Sequence, residues 1–318
     1  NWQIKTIIYI KTEMVQLVIS KGTNDQYVKN GVLTIDRAET ITNLCCCFCN
    51  ISSIDLSICM NLQILSCSYN EILSIDLSNC VNLQILCCSG NKISSIDLLN
   101  CVNLKVLHCY NNNILSIDLS NCVNLEELKC SNNNISSIDL LKCVNLKNFN
   151  CYRNNISSID LSKCVNLKYF DCSKNNISSI DLLKCVNLKY FDCSKNNISS
   201  IDLSNCIKLE YLACQNNNIS NLIIYEIKNI RCYNNQLTLL NLVKQSTYHN
   251  LICNHLIVSD EITDLYKYLM KKYFNINRTN NIKRTMLIKY SDLSENKDIV
   301  KKLEIIEYAK DYWIYKNW

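Results

Sequence analysis

Apolar residues recur along this chain with two nested spacings. Leu62, Leu65 and Cys67 fall at i, i+3 and i+5, and ten residues later Ile72, Ile75 and Leu77 repeat those intervals before Cys80 closes the unit. The whole pattern then starts again 21 residues on. The i, i+2 pair inside each triplet puts two apolar side chains on one face of an extended segment and the residue between them on the other. Each unit therefore predicts a short strand, a turn and a return. The period is strict enough that Cys164 to Leu182 (CVNLKYFDCSKNNISSIDL) recurs letter for letter from Cys185 to Leu203. Such units cannot bury their apolar face alone, so they stack into a solenoid whose core grows with repeat number.

The pattern breaks at both ends. Residues 1–40 lie outside the repeat; Ile4 to Ile10 and Met14 to Ile19 have strand-like content, with turn signals at Lys21-Gly22 and Asn30-Gly31. They predict a β-rich N-terminal cap, with a separate partner-binding module as the alternative. Residues 41–258 hold about 11 repeats, and a deletion of three residues precedes Ile227. From Ser259 the spacing becomes helical: Ile262, Leu265, Leu269 and Tyr273 share one face, and Ile299, Leu303, Ile306, Ala309 and Trp313 share another. A helical cap over 259–318 is expected, with partner docking by its aromatic tail as the alternative.

Leu62-x-x-Leu65-x-Cys67-x-x-Asn70-x-Ile72 resembles the leucine-rich repeat motif with Cys at the last strand position, and its nested halves resemble the 21-residue class of that family. The resemblance implies an α/β-type repeat solenoid, curved, with a parallel β-sheet on the concave face and short return turns. It also implies that the concave face binds a protein and that the Asn ladder (Asn70, Asn91, Asn112, Asn133, Asn154, Asn175, Asn196, Asn217, Asn235) is structural.

Three residue types repeat in register and invite chemistry. Two cysteine series, Cys46 to Cys214 and Cys59 to Cys206, hold 17 of the 23 cysteines at inward positions, where a thiol acts as a small apolar group. An Asp ladder, Asp55, Asp76, Asp97, Asp118, Asp139, Asp160, Asp181 and Asp202, is readable as a cation site or as turn caps. Like charges about 5 Å apart in water repel by about 0.8 kcal/mol, and a capping Asp gains about 1 kcal/mol, so capping suffices without an ion. The first unit is exceptional: Cys45, Cys46, Cys47 and Cys49 crowd together. Strand alternation sends Cys45 and Cys47 to one face and Cys46 to the other, so structural filler, a surface thiol and a metal site all stay open, in that order.

Between the inward positions lie the strand-face residues, whose character changes along the array. Early units are apolar or small; later ones carry Tyr and Asp. Tyr and Arg are enriched in protein interface hot spots, which makes Tyr110, Tyr152, Arg153, Tyr169, Asp171, Tyr190, Asp192 and Tyr211 the candidate contact residues.

A net charge of +5 over 318 residues shows no concentrated basic stripe for nucleic acid. Ile4 to Ile19 is interrupted by Lys5, Lys11 and Glu13, so it reads as neither a membrane span nor a signal core. The chain begins at Asn1, which leaves a removed leader or a truncated gene open. Regularly spaced cysteines argue for a reducing, cytoplasmic setting over a disulfide scaffold. The three His have no evident Ser or Cys partner, and phosphate loops, zinc motifs and carboxylate pairs are missing. The sequence thus predicts a non-enzymatic protein-binding module without cofactor, small-molecule substrate, nucleic acid or membrane partner. A substrate adaptor of a ubiquitin-ligase type and a cysteine-rich metal or redox-responsive protein are the alternatives.

Overall fold

The computed structural model describes residues 9–11, 14–18, 28–29, 32–33, 41–225, 227, 229–237, 239–243, 250–254 and 285–288. The chain divides into two compact units, 1–176 and 177–318.

In the first unit, β1 (Tyr9–Lys11) and β2 (Met14–Val18) form an antiparallel hairpin, β3 (Val28–Lys29) pairs antiparallel with β4 (Val32–Leu33), and β2 lies parallel to β5 (Ile41–Cys45). β4 runs parallel to β6 (Ser53–Ile54). One three-residue strand per repeat follows: β7 (Ile64–Ser66), β8 (Ile85–Cys87), β9 (Val106–His108), β10 (Glu127–Lys129), β11 (Asn148–Asn150) and β12 (Tyr169–Asp171). These add in parallel to β5 in chain order, each residue opposite the one 21 positions away.

In the second unit the series continues with β13 (Tyr190–Asp192), β14 (Tyr211–Ala213), β15 (Asn221–Tyr225), β16 (Asn229–Arg231), β17 (Leu239–Val243), β18 (Asn250–Asn254) and β19 (Thr285–Ile288). β13, β14, β16 and β18 are parallel neighbours, and β19 is antiparallel to β18. Where the sequence loses three residues, the return segment is no longer a turn: β15 pairs in parallel with β17 over five residues.

No helix occurs among the described residues, so the class is a β-solenoid and not α/β. The physical reason is the length of the return. After the strand and its turn, Leu77 to Leu83 is occupied by two successive i to i+3 turns, Cys80 N–H to the Leu77 carbonyl (2.9 Å) and Leu83 N–H to the Cys80 carbonyl (3.1 Å). That geometry leaves no room for the consecutive i to i−4 bonds of an α-helix. The helices expected over 262–273 and 294–313 lie outside the described residues.

The inward positions are those read from the periodicity. Leu62, Leu65, Cys67, Ile72 and Cys80 are fully buried, as are their equivalents in the next repeats, and Phe149 stacks on Phe170 at 5.3 Å between ring centroids. Each buried Leu or Ile contributes about 1.5–3 kcal/mol. The 22 cysteines whose side chains are described are free thiols. Burial pushes the inner ones up, Cys88 and Cys130 to about 12, so they stay protonated apolar filling.

Each ladder asparagine ties its own repeat to the preceding one. Asn91 donates from Nδ2 to the Cys67 and Cys88 carbonyls (3.1 and 2.9 Å) and accepts from Ile72 N–H (3.0 Å). A second ladder, in which Asn82, Asn103, Asn124, Asn145 and Asn166 donate to carbonyls of the previous repeat, does the same on the exposed return side. The unusual backbone belongs to the residue before the main ladder Asn. Tyr69, Gly90, Asn111, Asn132, Arg153 and Lys174 have φ between 52° and 66°, as do Lys195 and Asn216 in the second unit, whereas the ladder asparagines do not. A non-glycine residue there costs about 1–2 kcal/mol, and a glycine costs about 0.5–1 kcal/mol in chain entropy. Lys195→Gly is therefore expected to raise stability by about 0.5–1 kcal/mol, read as an increase in the urea midpoint.

The Asp ladder caps turns. Asp76 Oδ1 accepts from Ser78 N–H (2.9 Å), Asp97 from Leu99 N–H (2.9 Å) and Asp118 from Ser120 N–H (2.9 Å). For Asp76, Asp118, Asp160 and Asp202 the serine N–H and then its hydroxyl hold the carboxyl below its usual range; for Asp55 the Ser57 hydroxyl leads. A folded-state value below the unfolded one gives stability that is present above the unfolded value, near 4, and lost as pH falls through the folded value. The urea midpoint is expected to fall between pH 5 and pH 2. Asp76→Asn, which keeps the acceptor, should reduce that dependence.

Candidate functional site

The parallel register assembles the strand face into rows. In the first unit one row runs Asn43, Ile64, Ile85, Val106, Glu127, Asn148 and Tyr169, and the next Cys45, Ser66, Cys87, His108, Lys129, Asn150 and Asp171. The inward residue between each pair is fully buried or nearly so, while those named are partly exposed. This alternation is the pleat of each short strand.

The candidate residues separate into three settings. Tyr110 belongs to an aromatic group at the start of the array that the sequence did not disclose. Phe48 stacks on Tyr69 with centroids 4.7 Å apart, and the Tyr69 hydroxyl lies 3.3 Å from that of Tyr110. Tyr69 reaches across the intervening repeat because Gly90 is there: a Cβ on Gly90 would come within 2.6 Å of the Tyr69 ring. Tyr152 and Arg153 sit further along. Lys174 donates to the Tyr152 hydroxyl at 2.6 Å, and Arg153 is an exposed turn residue and not a strand-face one. Asp171, beside Tyr169 on β12, spends one carboxylate oxygen on its own turn, accepting from Ser173 N–H (3.0 Å) and Oγ–H (2.6 Å).

In the second unit Tyr190 and Tyr211 stack face to face at 4.5 Å with an interplanar angle of 1°. The Arg231 guanidinium lies 5.8 Å from the Tyr211 ring centroid, on the side away from Tyr190. Arg231 was not among the candidate residues, because its place beside Tyr211 depends on the lateral register that the shortened repeat takes up. Asp192 caps Ser194 N–H at 2.9 Å, as Asp171 does its own turn.

One expectation is overturned. His108 does have a cysteine partner: Cys87 Sγ is 3.7 Å from His108 Nδ1, and His108 Nε2 is 2.8 Å from Glu127 Oε1. Glu127 is held by Lys129 as well. Burial raises this carboxyl, but hydrogen bonds from Lys129, His108 and Asn148 outweigh it and bring it to about 2. With Nε2 directed at Glu127, Nδ1 is the ring nitrogen that faces the Cys87 thiol. Burial nonetheless raises Cys87, so the resting thiol keeps its proton. The partners are 21 and 19 residues from His108, one repeat to either side, and so become visible once lateral register is known.

Three segments, 81–121, 123–163 and 165–205, match the family profile for leucine-rich repeats in two copies. Residues 81–205 are thus leucine-rich repeats. No curated protein matches this sequence. Among solved structures the functional domain of InlJ from Listeria monocytogenes, which includes a cysteine ladder, is similar at TM-score 0.59 and 24% identity, over 70% of this chain and 61% of that one. A leucine-rich repeat protein of Leptospira interrogans gives TM-score 0.56 and 19% identity, over 63% and 57%. The leucine-rich repeat domain of APL1B gives 0.58 and 20%, over 74% and 80%. The chain thus spans about three fifths of the InlJ domain, and these likenesses concern the fold. Leucine-rich repeat domains are commonly protein-interaction modules and typically non-catalytic.

Proposed function

We propose that the strand face of this repeat array binds a protein partner. The observation that carries the reading is the contrast between the two kinds of position in each repeat. Inward residues, the capping Asp and the ladder Asn are kept nearly constant and are used up by packing and backbone hydrogen bonds. Strand-face residues vary from repeat to repeat and present rings to solvent. The Tyr190, Tyr211 and Arg231 stack is the most developed group of this kind in the second unit, and Tyr152 and Tyr169 are the candidates in the first. Flat, stiff rings lose little entropy on contact and keep a hydroxyl for hydrogen bonding. The 22 free thiols fit a reducing compartment such as the cytoplasm.

The test uses the full chain as bait in lysate, with the captured proteins identified and their affinity measured. Tyr152→Ala with Tyr169→Ala probes the first unit, and Tyr190→Ala with Tyr211→Ala the second. Loss of two hot-spot rings is expected to weaken at least one specific partner by about 30-fold or more. An unchanged partner set and affinity for both variants, with urea midpoints unaltered, would reject the strand face as the binding surface.

A further inference from the structure

Cys45 and Cys47 stand apart from the cysteine ladders. Cys46 is fully buried and points into the core, and Cys49 is buried with its Sγ donating to the Cys47 carbonyl at 3.3 Å. Cys45 and Cys47 are partly exposed on the strand face and hydrogen-bond to each other through their thiols. Two residues of extended chain span about 6.6 Å, within the range of Cα separations that a disulfide bridges. β5 ends at Cys45, and the chain is already turning by Phe48, whose φ is 59°. The backbone on either side of Cys47 is pinned to the next repeat, Cys46 N–H to the Ser66 carbonyl (2.8 Å) and Phe48 N–H to the Ser68 carbonyl (3.0 Å). These bonds hold the chain to the sheet on both sides of Cys47 and keep both thiols on the strand face.

We propose that Cys45 and Cys47 form a redox-active dithiol that a hydroperoxide converts to a disulfide on the strand face. The Cys45 thiolate attacks the distal peroxide oxygen; the O–O bond breaks, and the alkoxide or hydroxide leaves and takes a proton. Cys45 is then a sulfenic acid. The Cys47 sulfur attacks the Cys45 sulfur, the S–O bond breaks, and water departs with the Cys47 proton. Two electrons have moved from the sulfur pair to the peroxide. A thiol reductant reverses the change.

The division of labour follows from the surroundings. The Cys47 thiol donates to Cys45 and brings it down to about 6, while the same bond, then burial, pushes Cys47 up. Burial first, and the nearby Cys45 charge to a lesser degree, raise Cys46, Cys49 and Cys87, so these neighbours keep their protons. An accessible, low-pKa thiol beside a resolving cysteine is the arrangement that redox-sensing cysteines use. Cys87, two strands along from Cys45, is raised and is the internal reference. The inference stands independently of any protein bound by the strand face.

The test treats the folded full-length chain with substoichiometric hydrogen peroxide at pH 6 and maps the cysteines by mass spectrometry. Wild-type protein is expected to give a Cys45 to Cys47 disulfide, reversed by dithiothreitol, before Cys87 or any ladder cysteine is altered. Cys47→Ser keeps a hydroxyl donor but cannot resolve, so it should oxidise at a similar rate and stop at a sulfenic acid trapped by dimedone. Cys47→Ala loses the donor. At pH 6 a thiol of about 6 is half ionised against about one part in a thousand at 9, and the weaker nucleophilicity of the more acidic thiolate leaves a slowing of about 20-fold. Oxidation of Cys87 ahead of Cys45, or a wild-type sulfenic acid that persists beside a free Cys47, would overturn the proposal. So would equal rates for Cys47→Ala and Cys47→Ser.

Discussion

Asn133→Ala is expected to lower the unfolding free energy by about 4 kcal/mol, which is large for a change that deletes only an amide. The side chain is buried and fully committed. Its Nδ2 donates to the Cys109 and Cys130 carbonyls, both at 3.0 Å, and approaches the Ser131 carbonyl at 3.3 Å, while Oδ1 accepts from Ile114 N–H at 3.0 Å. Alanine leaves a buried N–H and at least two carbonyls short of a partner. Each such group costs about 1–3 kcal/mol, and partial relaxation brings the sum to about 3–5 kcal/mol. Asn133→Asp should be no milder at neutral pH. It keeps the acceptor for Ile114 but sets a carboxylate oxygen against two carbonyl oxygens. Asn134→Ala, at the exposed neighbour whose backbone N–H alone is used, is the control and should fall within about 0.5 kcal/mol of wild type. Urea unfolding followed by circular dichroism reads all three; a loss below about 1 kcal/mol for Asn133→Ala would show that the ladder does not bind the repeats together.

Phe149→Ala should cost a similar amount for a different reason. The ring is fully buried, lies opposite Leu128 on one side and stacks on Phe170 on the other. Its removal forfeits the transfer free energy of a benzyl group and leaves a cavity that paired strands on both sides prevent from closing, a loss of about 3–5 kcal/mol. Phe149→Leu should cost only about 1 kcal/mol, because Leu65, Leu86, Leu107 and Leu128 fill the same place in earlier repeats. A loss for Phe149→Leu as large as for alanine would mean that the ring stack, not the filled volume, supplies the stability.

Much of this architecture is readable from the residues because its causes are local and repeat. The inward triplet needs only the pleat, the Asp caps need only a serine or leucine N–H two residues on, and the ladder Asn needs only the turn that follows each strand. The class label was another matter. The α/β expectation came from resemblance, whereas the return segment of each repeat from Leu56 to Leu209 is two successive turns, too short for a helix. The left-handed position was also missed. Tyr69, Gly90, Asn111, Arg153 and Lys174 share a backbone conformation but no side-chain chemistry, so residue type carries no sign of it.

The candidate site was legible as a face and illegible as a set of contacts. Tyr190 and Tyr211 were visible as residues one repeat apart on the same row, yet their near-parallel stacking depends on side-chain reach, and the Arg231 beside them on a shortened repeat regaining register. Cys87, His108 and Glu127 escaped notice because a hydrogen bond across 21 residues means nothing until zero lateral offset is established. Tyr69 reaches Tyr110 only because the residue between their repeats has no Cβ. The sequence by itself determined the repeat, its inward cysteines, its turn caps and the two thiols on one side of β5, all consequences of backbone geometry within a few residues. Which side chains touch across the strand face was decided by the tertiary structure alone, since that depends on register and on how far each side chain reaches past its neighbour.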